Sequence, residues 1–238
     1  MKDEGISQDK LAQMRDKVMK LLNLTTSNGA TPAEAATAFN KANEILEKYN
    51  LSMDEIRAPK EETELIHEYI NGIMYDWETR LHQVLAKHNM CLIVRIKSEG
   101  KAMLLGRRLN VIAHYLTYSW ICGQLYKRMN DQLIVEKPQN PFAWREAFFY
   151  GAVVVINERV EELSRSRYMK YPNCKALVED RDAELRRFFE ELTGSRIRTS
   201  KRVVPNGPGY SNGYSAGRSV SFGDEPVLTD KKRMLTGR

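Results

Sequence analysis

Apolar residues near the start of the chain recur with the period of an α-helix. Leu11, Met14, Val18, Leu21 and Leu22 stand three and four positions apart, which predicts an amphipathic helix ended by TTSNGAT. Thr31 caps the next helix, with Pro32 at its first position and Glu34 completing a T-x-x-E capping box. Ala35, Ala38, Phe39, Ala42, Ile45, Leu46 and Tyr49 give this second helix an apolar face. Its small residues permit close approach. Ser52 with Glu55 forms a second capping box that opens a short turn. Residues 1–57 are therefore expected to be a helical hairpin, and RAPKEETE (57–64) a charged, Pro-containing linker.

Beyond the linker the pattern changes. LIHEYI reads as a strand, and YDWETRLHQVLAKHN as a helix with Trp77, Leu81, Val84 and Leu85 on one side. MCLIVRI and KAMLLG, separated by KSEG, predict a β-hairpin. From Leu109 to Leu133 the chain is helical and apolar nearly all round (Ile112, Tyr115, Leu116, Trp120, Ile121, Leu125), which marks a central helix. Asn140 and Pro141 start another helix through FAWREAFFYGAVVVINERVEEL. A further helix runs from Lys175 to Leu192, with Gly194 just past its end. The fold class expected is α+β and predominantly helical: an N-terminal helical hairpin (1–57), an α+β body with a small antiparallel sheet (65–194), and a basic Gly-rich C-terminal segment (195–238).

The stretch KVMKLLNLTTSNGATPAEAATAFNKANEILEKYNLSMDEI (17–56) resembles the small helical unit of the family known as domain of unknown function 2786. The resemblance rests on Lys17, Leu21 and Leu22, then Glu34, Ala35, Ala38, Lys41 and Ala42, then Tyr49, Asn50 and Leu51. It implies a helical fold, a second domain and a Gly- and Arg-containing C-terminus behind that unit, and a phage or bacterial setting. It implies no catalytic residues.

The net charge of +6 is unevenly distributed. Residues 195–238 hold nine Lys or Arg and three Asp or Glu, so subtraction from the totals of 37 and 31 leaves residues 1–194 with 28 of each sign. A basic tail on a neutral body suggests a polyanionic partner; a solubilising tail is the plainer alternative. No apolar run is long enough to span a membrane. The start, MKDEGISQDK, has no apolar core of a secretory signal. Cys91, Cys122 and Cys174 form no C-x-x-C pair and read as reduced thiols. A cytoplasmic location is expected, that of the host if the protein is phage-encoded.

Most reactive chemistry finds no signature. The four histidines include no H-E-x-x-H, and Glu78 with His82 at i, i+4 reads as a surface contact rather than a ligand pair. No G-x-S-x-G elbow is present. Glu158, Glu161 and Glu162 read as a solvated helix face. VVPNGPGYSNG is spaced unlike a dinucleotide loop, and Pro208 removes a donor. No catalytic residue, metal ligand or cofactor is expected. Within GYSNGYSAGRSV (209–220), a helix would align Gly209, Gly213 and Gly217 as one stripe, which predicts a short docked helix running into an edge strand over RSVSF.

Three clusters combine cations with aromatics or with a helix start. Arg165, Arg167, Tyr168, Lys170, Tyr171 and Lys175 fall in an expected loop between helices. Arg107 and Arg108 follow Gly106 at a helix start, near Lys97 and Lys101. Arg196, Arg198, Lys201, Arg202 and Arg218 lie in the tail with Tyr210 and Tyr214. Cations neutralise phosphates and tyrosines stack on unpaired bases. The expectation is a non-enzymatic nucleic-acid-binding accessory protein of a phage or mobile element, with sequence-tolerant contacts to DNA or RNA. The alternatives are a protein-interaction module that binds a host protein through the N-terminal hairpin, and a divergent metal-dependent nuclease.

Overall fold

In the computed structural model, the described residues are 8–26, 31, 34–35, 37–38, 41–46, 48, 64–73, 75–96, 99–170, 174–198 and 207–220. The second capping box, most of the linker, Lys97, Tyr171, Lys201, Arg202 and the segment from Ser221 onward lie outside them. The chain divides into two compact units, residues 1–59 with 221–238 and residues 60–220.

In the first unit, α1 spans Gln8–Thr26 and buries Leu11 and Val18 one above the other. Thr31 and Glu34 form the predicted capping box: the Thr31 N–H donates to Glu34 Oε2 at 2.9 Å, and the Glu34 N–H donates to Thr31 Oγ1 at 3.3 Å. The described residues between 34 and 48 are helical, and Ala35, Ala38, Ala42, Ile45 and Leu46 are buried.

The second unit is built on a three-stranded antiparallel sheet of β1 (Leu65–Asn71), β2 (Leu92–Ile96) and β3 (Lys101–Arg107), in the order β1-β3-β2. Leu65 pairs with Arg107, and Leu92 with Leu105. Gly100 turns the β2–β3 hairpin at φ +61°, a conformation that glycine adopts without a Cβ penalty. The central strand β3 is covered on both faces, which explains its unbroken apolar run. Ala102 and Leu104, with Ile93, pack on Ala86 of α2 (Asp76–His88) and Val111 of α3 (Arg108–Glu136). Met103 and Leu105, with Leu92, pack on Leu185 and Phe189, which belong to the late helix Cys174–Thr193.

Three more helices lie among the described residues of the unit: α4 (Pro141–Lys170), α5 (the helix Cys174–Thr193) and α6 (Tyr210–Arg218). Asn140 caps α4, its Oδ1 accepting the Ala143 N–H at 3.0 Å. Trp77 of α2 stacks on Phe149 of α4 at 4.0 Å between ring centroids. Two features differ from expectation. First, α4 continues through residues 165–170, which the sequence suggested as loop. No helix breaker precedes Tyr171-Pro172, and a proline disfavours helical backbone in the residue before it. Second, the buried stripe of α3 runs through Asn110, His114, Thr117, Ile121 and Leu125, while Ile112, Leu116 and Trp120 are half-buried.

Within GYSNGYSAGRSV, α6 packs main chain to main chain on α4; of the edge strand expected over RSVSF, Arg218 ends the helix and Ser219 and Val220 form a turn, while Ser221 and Phe222 lie outside the described residues. A Cβ at Gly213 would lie 2.8 Å from Phe148 Cα and nearer still to its carbonyl group. One at Gly217 would meet the Ala152 carbonyl oxygen at 2.7 Å, and one at Gly151 would meet the Tyr214 nitrogen at 3.0 Å. Side chains then secure the ends. Arg159 donates to the carbonyls of Gly217 (3.0 Å) and Arg218 (3.1 Å). Arg128 of α3 donates to Ser219 Oγ at 2.8 Å and to its carbonyl at 2.7 Å. These guanidinium groups satisfy carbonyls that a helix end leaves without intrahelical partners. Asn212 donates to Gln132 Oε1 at 2.6 Å, and Tyr214 to Glu158 Oε2 at 2.8 Å.

Two glycine substitutions should differ in effect. Gly213→Ala forces a Cβ into backbone and is expected to destabilise the protein by about 1–3 kcal/mol. Gly123, inside α3, has nothing within 4 Å of its virtual Cβ. Gly123→Ala should be neutral or stabilise by up to about 1 kcal/mol. Urea midpoints of the two variants read both values, and equal effects would contradict the close approach.

Candidate nucleic-acid interface

The sheet ends at β2, with α2 on one of its faces and α5 on the other. At that edge lies a groove of about 960 Å³. Its floor includes Leu92, Ile93, Val94 and Arg95 in succession. One wall is the α2 face carrying Thr79, Arg80, Gln83 and Lys87; the other is the α5 face carrying Lys175, Arg181 and Arg186. Tyr168 from the end of α4, together with Ile197 and Arg198, completes the lining.

Charge is concentrated here. The lining has seven cations (Arg80, Lys87, Arg95, Lys175, Arg181, Arg186, Arg198) and three acids (Asp76, Glu179, Asp182), a difference of +4; without Arg198 it stands at six against three, +3, within residues 1–194 that together balance to zero. Several cations already have acidic neighbours. Arg95 pairs with Asp76, Arg181 with Glu184, and Arg186 with Asp182 at 2.6 Å, while Lys175 lies 3.9 Å from Glu179. Pairs exposed to water contribute little, so a polyanion can compete for the exposed ones. Thr79 is buried beside the groove, and its Oγ1 has no hydrogen-bond partner among the described residues.

The groove joins residues from two of the three predicted clusters: Tyr168 and Lys175 from the first, Arg198 from the third. Arg165 and Arg196 are exposed outside its lining; Arg167 and Lys170 lie in the last turns of α4. The middle cluster separates. Arg107 ends β3 and is buried, whereas Lys101 begins the same strand, about 20 Å away at the usual rise per residue. Lys101 pairs with Glu99 and lies 4.2 Å above the Tyr69 ring. Arg108 is exposed at the start of α3. Arg218 covers the Tyr214 ring at 5.2 Å, within the α6 clamp. Sequence reasoning missed Arg80, Lys87, Arg95, Arg181 and Arg186. The i, i+3, i+7 spacing of Arg80, Gln83 and Lys87 was the available signal for a polar helix face.

The histidine geometry replaces the expected Glu78–His82 surface contact. Glu78 Oε2 accepts the Tyr75 N–H at 3.1 Å and caps α2, while His82 turns inward. Its Nδ1 lies 2.9 Å from His114 Nε2, and its ring stacks on Tyr118 at 3.8 Å. Desolvation, reinforced by His114, pushes His82 down to about 3, and desolvation pushes His114 down to about 4. Burial raises the neighbouring Tyr118, and raises Cys122 to about 12. Among the described residues, no group of three His, Cys, Asp or Glu side chains is placed to hold a metal ion, and no helix is long and apolar enough to cross a membrane.

Residues 13–53 match the family described as Protein of unknown function (DUF2786), which supports the resemblance of the N-terminal segment to that helical unit. The match ends before β1 and carries no function to the second unit. No curated protein and no solved structure matches the chain.

The buried imidazoles make acid sensitivity predictable. Their folded values lie below the ordinary value of about 6.5, so the unfolded chain binds protons that the native core refuses. Their contribution is fully present above about pH 6.5 and is lost as pH falls toward the folded values. Urea midpoints from pH 7.5 to 4.5 should decline less steeply in His82→Leu/His114→Leu than in the wild type. An unchanged slope would exclude the pair as the source.

Proposed function

We propose that the protein is a non-enzymatic nucleic-acid-binding accessory protein of a phage or mobile element, acting in the host cytoplasm. The observation that carries this reading is the concentration of cations along the β2 groove, within a body whose charges sum to zero overall. Lys87, Lys175 and Arg198 project from three separate segments into one lining, and all three are exposed. Long flexible cations in a concave surface follow a phosphate backbone without reading sequence. Tyr168 adds an aromatic surface on which a base can stack. Arg165 and Arg196 extend the basic surface beyond the groove. The N-terminal unit and its resemblance support the phage or bacterial setting.

Anisotropy titrations with labelled oligonucleotides at two salt concentrations test the reading. Binding should be detectable at low salt and weaken steeply as salt rises. Replacing Lys87, Lys175 and Arg198 together with Glu should weaken binding at least tenfold and reduce the log–log salt slope by about 2, since each single-strand phosphate contact contributes about 0.7. An absence of binding at low salt, or binding insensitive to salt, would overturn it.

A further inference from the structure

The groove has a charged rim and a mostly apolar floor, in which Arg95 is paired with Asp76. Lys87, Lys175, Arg186 and Arg198 are exposed, whereas Leu92 and Ile93 beneath them are buried. Among the described residues, that floor is also an open sheet edge. Among these described residues β2 pairs only with β3, and no further strand pairs with its opposite edge. An open edge presents main-chain N–H and C=O groups that need partners. Helices on both faces of the sheet make this edge a slot rather than a flat surface. An occupant must therefore carry negative charge at regular intervals outward and neutral hydrogen-bonding groups inward.

A single strand of nucleic acid has that division. Its phosphates lie along one side, and its unpaired bases offer donors, acceptors and flat faces on the other. A duplex presents phosphates outward and uses its base-pairing edges internally. Resting on the nucleic-acid reading above, we propose that the groove takes single-stranded DNA or RNA with its bases turned inward against the β2 edge. The phosphates then lie on Lys87, Lys175 and Arg198, and Tyr168 stacks on a base at the α4 end. A peptide completing the sheet would satisfy the same edge, but its backbone is uncharged, and the rim would require acidic side chains along it.

The test uses the full chain and four probes: a single-stranded dT 12-mer, an abasic strand of equal length and charge, a 12-base-pair duplex, and a glutamate-rich peptide as competitor. The dT strand should bind at least tenfold more tightly than the abasic strand or the duplex. Tyr168→Ala should weaken dT binding about tenfold while leaving abasic binding unchanged, with circular dichroism confirming the fold. Equal affinity for all three nucleic acids would overturn the inward orientation and leave the nucleic-acid reading intact. Binding of none would overturn both. Displacement of dT by the peptide at lower concentration than by unlabelled dT would assign the slot to a β-strand partner instead.

Discussion

The main-chain contact between α4 and α6 is the constraint on which much of the second unit depends. Two helices approach this closely only where side chains are absent, and Gly151, Gly213 and Gly217 supply those absences. Glycine is costly in a helix interior, about 1 kcal/mol against alanine, so α6 owes its helical form to its contact with α4. Arg159 and Arg128 then satisfy the end of α6 from two different helices. The long helix α4 is thereby held along one face by α6, while its Phe149 stacks on Trp77 of α2. Its far end carries Tyr168 to the groove. Packing at one end of the unit thus fixes an aromatic side chain at the other.

The sheet makes the second contribution. Because β3 is central, its alternating side chains join two separate apolar clusters, one beneath α2 and α3 and one beneath α5. The strand order leaves β2 at the edge, between helices on the two faces of the sheet. A groove at that place follows from the topology. Its charge follows from the solvated helix faces, which carry more Lys and Arg than acid on the sides that meet there. The same charges spread over a flat surface would be screened by salt and partnered locally; concavity brings them within reach of one extended ligand.

Local signals in the sequence carried most of the architecture. The Thr31–Glu34 box, the Asn140 cap, the short apolar runs of β2 and β3, and the four-residue glycine period each specify their element within a few residues. The groove was only partly legible, because α2, β2 and α5 contribute to it from positions far apart in sequence. Tyr168, Lys175 and Arg198 drew attention as members of charged clusters. Arg80 and Lys87 did not, since on a helix they look like ordinary solvated residues. Arg107 shows the opposite error: adjacent to Arg108 in sequence, it ends a strand and turns into the protein. His82 was likewise read as a surface residue, because one sequence cannot reveal the partner ring of His114 on another helix.

The central claim is that the β2 groove is where nucleic acid is held. Hydrogen–deuterium exchange of the full chain, with and without a saturating single-stranded oligonucleotide at low salt, tests it directly. The account predicts slower exchange in β2 (Leu92–Ile96), whose outer amides gain partners, and in the α2 and α5 segments that wall the groove. Saturating binding that leaves β2 exchange unchanged and confines protection to residues 1–59 would contradict it.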